Sequence, residues 1–475
     1  MDKNKATAII EETFDNKFDE NTFIRFIQNL LNDIKMLDNN YNIDNEHISN
    51  YTHLGLYEAP DGTEVDILII KVQNTNKLDK ARTALRNFVV DHLVRFNRDY
   101  AIAAYYSDKD NGSNWRFSFI KIEHQTTVEN GKIIQSKEIT PPKRFSFPVG
   151  ANKNNRTAKE RLLPILQNDS INPSIKQIED AFSVETLTKD FYKELFLWNT
   201  WALSDEIGVT YPNDTSTESD DRIIQEHLIR LITRLMFVWF IKQKHLIPEE
   251  IFDVEQLKNI LKDFNPDSKT NGNFYNAILQ NLFFATLNRP VNERNFASKS
   301  SNEKNDGKEH YGIKTLFRDD NTETFFQKSQ EEIIHLFKQV PFLNGGLFEC
   351  LDKEQDRNNK ICYYDGFSRD NRNKNGMLVR AFIPNCLFFD SDNGLISILK
   401  RYNFTIEENT PQDVEVALDP ELLGKVFENL LGAYNPETRE TARKQSGSFY
   451  TPREIVNYMV DESLKAYLQQ STSIE

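Results

Sequence analysis

The densest chemistry in the sequence lies near its end, in Ser446-Gly447-Ser448-Phe449-Tyr450-Thr451-Pro452-Arg453-Glu454. A glycine in such a loop lets the backbone come close to a ligand. Thr451 and Glu454 have the spacing of a capping box, so a helix starts here. A helix start offers unpaired N–H donors at a positive dipole end, which suits a carboxylate. Taken alone, Thr451 to Glu454 also reads as an ordinary capped helix. A second set lies near the start of the chain. Glu58, Asp61, Glu64 and Asp66 crowd ahead of the apolar run Ile67 to Ile70, and Lys71 closes it. Strand alternation puts Asp66, Leu68 and Ile70 on one face and Lys71 on the other. These acids also read as the solvated rim of a hairpin at Pro60-Asp61-Gly62. Arg82 and Arg86, four apart, share one helix face; they suit DNA phosphates, or pairing with Glu58 or Asp61. Between Lys137 and Arg161, seven basic residues meet only Glu138 and Glu160. Lys143, Arg144, Lys153 and Arg156 in this stretch are the best local candidates for phosphate contact, with a solvated linker as the alternative.

The elements that must position these residues follow from periodicity. Phe18, Phe23, Phe26, Ile27, Leu30 and Leu31 recur at helical spacing, and the first forty residues read as helices. Tyr51 to Tyr57 and Val65 to Val72 read as strands joined by the Pro60-Asp61-Gly62 turn. A basic helix, Lys80 to Arg95, is followed by strands at Tyr100 to Tyr106 and Trp115 to Glu123. In the last of these, Trp115, Phe117 and Phe119 share a core face, while Arg116 and Ser118 share the other. Arg116 is placed to reach the acidic set or DNA. This order implies an α/β layer with a mixed sheet. Residues from about 170 to 345 read as helical, and Leu228 to Ile241, apolar nearly all round, reads as a buried core helix. Asn344-Gly345-Gly346 reads as a tight turn. In the last helix Ile455, Val456, Met459, Val460 and Leu464 form an apolar face.

The string Ser446 to Val456 resembles the S-adenosylmethionine-binding motif ten of class I DNA adenine methyltransferases. Pro341 to Glu349 (PFLNGGLFE), Leu418 to Glu428 (LDPELLGKVFE) and Leu282 to Pro290 (LFFATLNRP) make the longer pattern similar to type IIG/IIS restriction–modification enzymes. The resemblance covers most of the second half of the chain. It implies that Phe449, Tyr450, Thr451 and Pro452 line the site of S-adenosylmethionine, whose methyl group passes to the exocyclic amine of adenine in double-stranded DNA. The acidic set is reminiscent of restriction nucleases of the P-D…(D/E)-x-K type, in which two acids hold Mg²⁺ and a lysine supports the attacking water. That resemblance implies a cleavage set of Glu58, Asp66 and Lys71, with Asp66 and Glu58 on the metal. Position 69, where the pattern wants an acid, is Ile. Two further family strings, D-P-x-x-G-x-G and N-P-P-[YF], occur nowhere in the sequence, and the chain stops 21 residues after Glu454. Methyl transfer is therefore not expected of this chain alone. The resemblance implies the N-terminal portion of such an enzyme; the alternative is a non-catalytic DNA-binding or assembly subunit that docks a separate methyltransferase or specificity half.

Composition narrows the classes. Lys+Arg 58 against Asp+Glu 72 gives a net charge of -14, so any DNA contact uses a local basic patch rather than the whole surface. Cys350, Cys362 and Cys386 are odd in number and show no CxxC spacing, which points to a reduced, cytoplasmic protein. The start has no apolar h-region and no segment reaches membrane-spanning length, so no membrane partner is expected. The eight histidines are scattered, with no H-E-x-x-H spacing and no CxxC pair to accompany His47 and His53, so zinc is not expected. No Walker loop or G-x-S-x-G elbow occurs. The expected fold is α+β and helix-rich. A restriction-nuclease-like α/β domain spans 1–165, a helical connector 166–440, and the opening of a methyltransferase domain 441–475.

Overall fold

The structure is a computed structural model. It describes residues 1–43, 45–122, 124–129, 132–139, 142–212, 220–297, 314–319, 325–343, 345–352, 364–367, 380–405, 413–418, 420 and 453–472. The α+β expectation holds: a seven-stranded mixed sheet is accompanied by many helices. The chain divides into two compact units, residues 1–190 with 401–418, and 191–400 with 419–475. The first unit therefore runs past residue 165 and takes back a short segment from far along the chain.

That unit opens with α1 (Lys3–Phe14) and α2 (Glu20–Leu31), each capped by an aspartate that accepts a backbone N–H, Asp2 from Asn4 and Asp19 from Thr22. Then come β1 (Ile34–Asn42), β2 (Ile48–Glu58) and β3 (Glu64–Val72), all antiparallel. Ile34 to Asn42 is thus a strand, where the sequence reading continued the helices. The β2–β3 hairpin turns at Pro60-Asp61-Gly62, with Gly62 at φ +81, a left-handed conformation that suits glycine. After the short α3 (Asn76–Lys80), α4 (Arg82–Phe96) crosses over to β4 (Tyr100–Tyr106), which lies parallel to β3. Next is β5 (Trp115–Lys121); β6 (His124–Glu129) and β7 (Lys132–Ile139) form a separate hairpin. β8 (Lys143–Val149) rejoins the main sheet, followed by α5 (Arg156–Gln167) and α6 (Ile175–Ala181). The basic stretch read as a linker is thus mostly strand and helix. The last strand, β9 (Asp413–Glu415), lies parallel to β8 and completes the order β1-β2-β3-β4-β5-β8-β9.

The two faces of this sheet differ. On one, Trp115 of β5 meets Phe14 of α1, and Phe117 meets Phe14 and Phe26 of α1 and α2, at centroid distances of 5.5–5.7 Å, and Phe119 meets Phe182. The alternation read from the sequence places these rings correctly. On the other face, Leu85, Val89 and Leu93 of α4 pack on Leu68, Ile70, Ala101, Ala103, Tyr105 and Ile120. Burying side chains of this size contributes roughly 1.5–3 kcal/mol each. The α4 face is the one that carries polar and charged groups.

The chain passes into the second unit along α7 (Val184–Ala202). α8 (Asp220–Lys242) is the core helix expected at Leu228 to Ile241, with Leu228, Ile232, Leu235 and Trp239 buried. After α9 (Val254–Ile260), residues Phe274–Leu279 and Asn281–Leu287 form wide π-type turns with every side chain buried. α10 (Gln330–Leu336), α11 (Cys386–Phe389), α12 (Leu395–Arg401) and α13 (Arg453–Thr472) complete the described elements. Two family-like segments meet here: the Leu343 N–H donates to the Leu287 carbonyl at 2.7 Å, and Arg234 donates to the carbonyls of Leu347 and Glu349. A side chain added at Gly345 or Gly346 would meet nothing within 4 Å, and Asn344 lies outside the described residues. Among the described residues no helix is long and apolar enough to cross a membrane.

Candidate functional site

The most chemically unusual group on the α4 face is Asp66, the third residue of β3. It stands in a run of valine, isoleucine and leucine and is only 1% exposed. A carboxylate so buried needs partners. Its Oδ1 lies 3.1 Å from Nε2 of His53, and its Oδ2 lies 3.1 Å from Nε2 of His92. Burial pushes the Asp66 carboxyl up, but hydrogen bonds and positive charge from the two imidazoles outweigh this and hold it at about 2.

Each histidine is placed by its element. His92 belongs to the stripe Leu85, Val89, His92, Leu93 that α4 turns toward the sheet. His53 reaches this face through a β-bulge: His53 pairs with Leu68 while Gly55 pairs with Ile67, so Leu54 is the extra residue. Without that insertion Leu54 would face α4 and His53 would point away. Gly55 is required there, because a Cβ would sit 2.8 Å from Ile34 and 3.0 Å from the Lys35 carbonyl. Tyr51 Oη is 3.4 Å from His92 Nδ1, and the Phe96 ring lies 4.7 Å from His92 and 5.6 Å from His53, giving the cluster an aromatic collar. Arg98 stands 4.0 Å from Asp66 and is itself held by Glu64 at 2.7 Å.

The three residues of the expected cleavage set separate. Glu58 pairs in register with Glu64, which puts it on the same face as Asp66, but it is exposed. Lys71 sits five residues beyond Asp66, about 16 Å along the strand, on the opposite face and ion-paired to Asp108. Mg²⁺ prefers an octahedron of oxygens with several waters. Asp66 offers a dry site whose two carboxylate oxygens both face imidazole nitrogens. The described donors therefore do not fit Mg²⁺ shared by Asp66 and Glu58.

A second charged cluster occupies the other end of the α4 face. Asp413 accepts from Arg86 and Arg144, each at 2.8 Å. Glu415 accepts from Arg116 at 3.1 Å and lies 3.4 Å from Arg82, while Arg116 also reaches Asp79 at 2.5 Å. The guanidiniums of Arg82, Arg86 and Arg144 are thereby ion-paired inside the domain with acids more than 260 residues away. Neither Glu58 nor Asp61 pairs with them: Asp61 is exposed and accepts from Thr63. Of the remaining candidates for phosphate contact, Lys143 is half-buried, Lys153 is exposed, and Arg156 is exposed and paired to Glu160 at 2.6 Å. Phe449, Tyr450, Thr451 and Pro452 lie outside the described residues; the helix they precede, α13, is present.

Sequence reasoning passed over His53 and His92 because spacing rules look for ligands close in the chain. The signal it could have used is a polar residue on an otherwise apolar face, since a buried acid must find donors.

The chain is 23% identical over 387 residues, 75% of its length, to a Methanocaldococcus jannaschii protein named "Putative type II restriction enzyme and methyltransferase RM.MjaORFECS2P". The match spans 26% of that protein's length. The chain is thus a distant relative of a restriction–modification protein and corresponds to a minor part of it. No family model matches the chain, and no solved structure does.

Proposed function

We propose that this chain is part of a bifunctional restriction–modification enzyme acting on double-stranded DNA. The observation that carries the reading is the similarity over 387 residues to a protein named for both restriction and methylation. In the complete enzyme, S-adenosylmethionine supplies a methyl group to adenine and Mg²⁺ serves cleavage. This chain lacks the Gly-rich loop and the N-P-P-[YF] turn, so alone it transfers no methyl group. The exposed Lys153 and Arg156 are its first contacts with DNA phosphates.

Fluorescence anisotropy with a duplex oligonucleotide tests the reading. About three phosphate contacts weaken binding roughly 40-fold between 50 and 200 mM salt. A Lys153→Glu/Arg156→Glu variant flattens that salt dependence. No duplex binding at 50 mM salt would overturn the proposal.

One observation favours a second reading, a non-catalytic subunit that docks a separate methyltransferase half. α13 carries Ile455, Val456, Met459, Val460, Leu464 and Leu468 at 41–58% exposure. Co-purification with a separately expressed methyltransferase polypeptide, lost in a Met459→Asp/Leu464→Asp variant, distinguishes the two.

A further inference from the structure

We infer that His53, Asp66 and His92 form a binding site for a borderline-soft divalent cation, with Zn²⁺ the best match. The site does not depend on the restriction–modification reading. His53 Nε2, His92 Nε2 and an Asp66 oxygen all lie within 4.8 Å of one another, and all three residues are buried. Four-coordinate Zn²⁺ with nitrogen and oxygen ligands at about 2.0–2.2 Å needs donors about 3.3 Å apart. Each imidazole nitrogen is 3.1 Å from its own Asp66 oxygen, His53 from Oδ1 and His92 from Oδ2. Donors no more than 4.8 Å apart must close by no more than about 1.5 Å to reach this tetrahedral spacing around one Asp66 oxygen, which side-chain rotation supplies.

Donor chemistry selects the ion. Two imidazoles and one carboxylate suit zinc, and they suit calcium and magnesium poorly. The surroundings supply the outer contacts such sites use. Tyr51 Oη at 3.4 Å from His92 Nδ1 can accept the N–H that Nε2 ligation leaves on the other nitrogen. Phe96, Tyr51 and Phe88 wall the cluster with rings. Phe96, at 37% exposure and the last residue of α4, is the most exposed ring of this wall. Arg98, 4.0 Å from Asp66, is ion-paired to Glu64 at 2.7 Å, and the fourth position is left to water.

The alternative occupant is a proton shared by the carboxylate and the imidazoles, and the two occupants compete for the same nitrogens. The test is metal uptake by the whole chain at pH 7.5, with Zn²⁺ measured by competition against a chromophoric chelator and Co²⁺ by visible absorption. The wild-type chain should hold about one Zn²⁺ and give the intense d–d bands of four-coordinate Co²⁺. His53→Gln and Asp66→Asn should each weaken Zn²⁺ at least 100-fold, beyond the roughly 10-fold expected of the outer Tyr51→Phe change. A merely structural role for Tyr51 would leave Zn²⁺ affinity unmoved. If a substituted chain does not fold, the wild-type Co²⁺ spectrum decides alone. Absence of the four-coordinate bands at millimolar Co²⁺, or Zn²⁺ held equally by wild type and a folded His53→Gln chain, would overturn the proposal and leave a hydrogen-bonded triad.

Discussion

Two buried ionic clusters lie on the α4 face of one sheet. One is a single carboxylate, Asp66, between two imidazoles; the other is a pair of carboxylates, Asp413 and Glu415, among four guanidiniums. The first uses three elements that follow one another within about forty residues. The second needs β9, which arrives from more than 260 residues further on. Their chemistry differs as much as their origin. An imidazole can shed its charge, switch tautomer or hand its nitrogen to a metal. A guanidinium keeps its charge at any accessible pH, so burying it demands a fixed counter-charge. The first cluster is therefore adaptable and suited to a ligand, while the second is a permanent fastening for the edge of the sheet.

The sharpest way to break this contrast is to remove one fixed counter-charge. Asp413→Asn leaves Arg86 and Arg144 buried without a full partner and should destabilise the first unit by about 3–5 kcal/mol, read by urea unfolding. A loss below about 1 kcal/mol would mean that these arginines relax to solvent.

A third imidazole, in the second unit, shows what burial between rings and beside arginines does to a histidine. His227 is sandwiched between Tyr211 at 3.9 Å and Tyr364 at 4.1 Å. Burial, then the charges of Arg230 and Arg234, lower its pKa from 6.5 to about 3. Its folded state binds a proton less readily than its unfolded state. The stability it contributes is complete above pH 6.5 and is lost as the pH falls toward about 3, with a slope approaching roughly 1.4 kcal/mol per pH unit. A His227→Phe chain should lose that slope in pH-dependent melts; an unchanged slope would assign it to other groups.

Asp66→Asn should cost less than Asp413→Asn, about 1–2 kcal/mol, because an amide can accept from one imidazole and donate to the other after a tautomer change. Thermal unfolding of the two variants side by side checks the order. The smallest effect belongs to Lys71, whose pair with Asp108 is at the surface: Lys71→Met should change stability by under about 1 kcal/mol. If duplex cleavage is found, it should survive this change, because Lys71 lies on the opposite strand face from Asp66.

Much of the scaffold was legible. Strands β2 and β3 were marked by the Pro60-Asp61-Gly62 turn between them, β4 was read at Tyr100 to Tyr106, β5 showed the alternation of Trp115, Phe117 and Phe119, and α4 was read as a basic helix over Lys80 to Arg95. What stayed hidden had a physical reason in each case. β1 is rich in Asp and Asn, residues depleted in strands, and its place at the sheet edge gives its burial no clean alternation. β8 looked like a basic linker because Lys143 and Arg144 masked the alternation of Phe145 and Phe147. Its arginine faces inward only because Asp413 lies opposite. Three-residue β9 carries no local signal at all. The acidic set was legible as chemistry, and strand alternation already separated Lys71 from Asp66; what stayed hidden was the bulge at Leu54, which decided that Asp66 would face His53.

The sequence by itself determined the elements whose signal is local: period-2 strands, period-3.6 helices, caps and the hairpin turn. These depend on neighbours a few residues away, and side-chain polarity records them directly. Tertiary structure alone decided which charges are buried together. A buried charge is stabilised by whichever opposite or hydrogen-bonding group the fold carries to it. For Arg86 and Arg144 that group lies hundreds of residues off, and for Asp66 it is set by one inserted residue in a neighbouring strand.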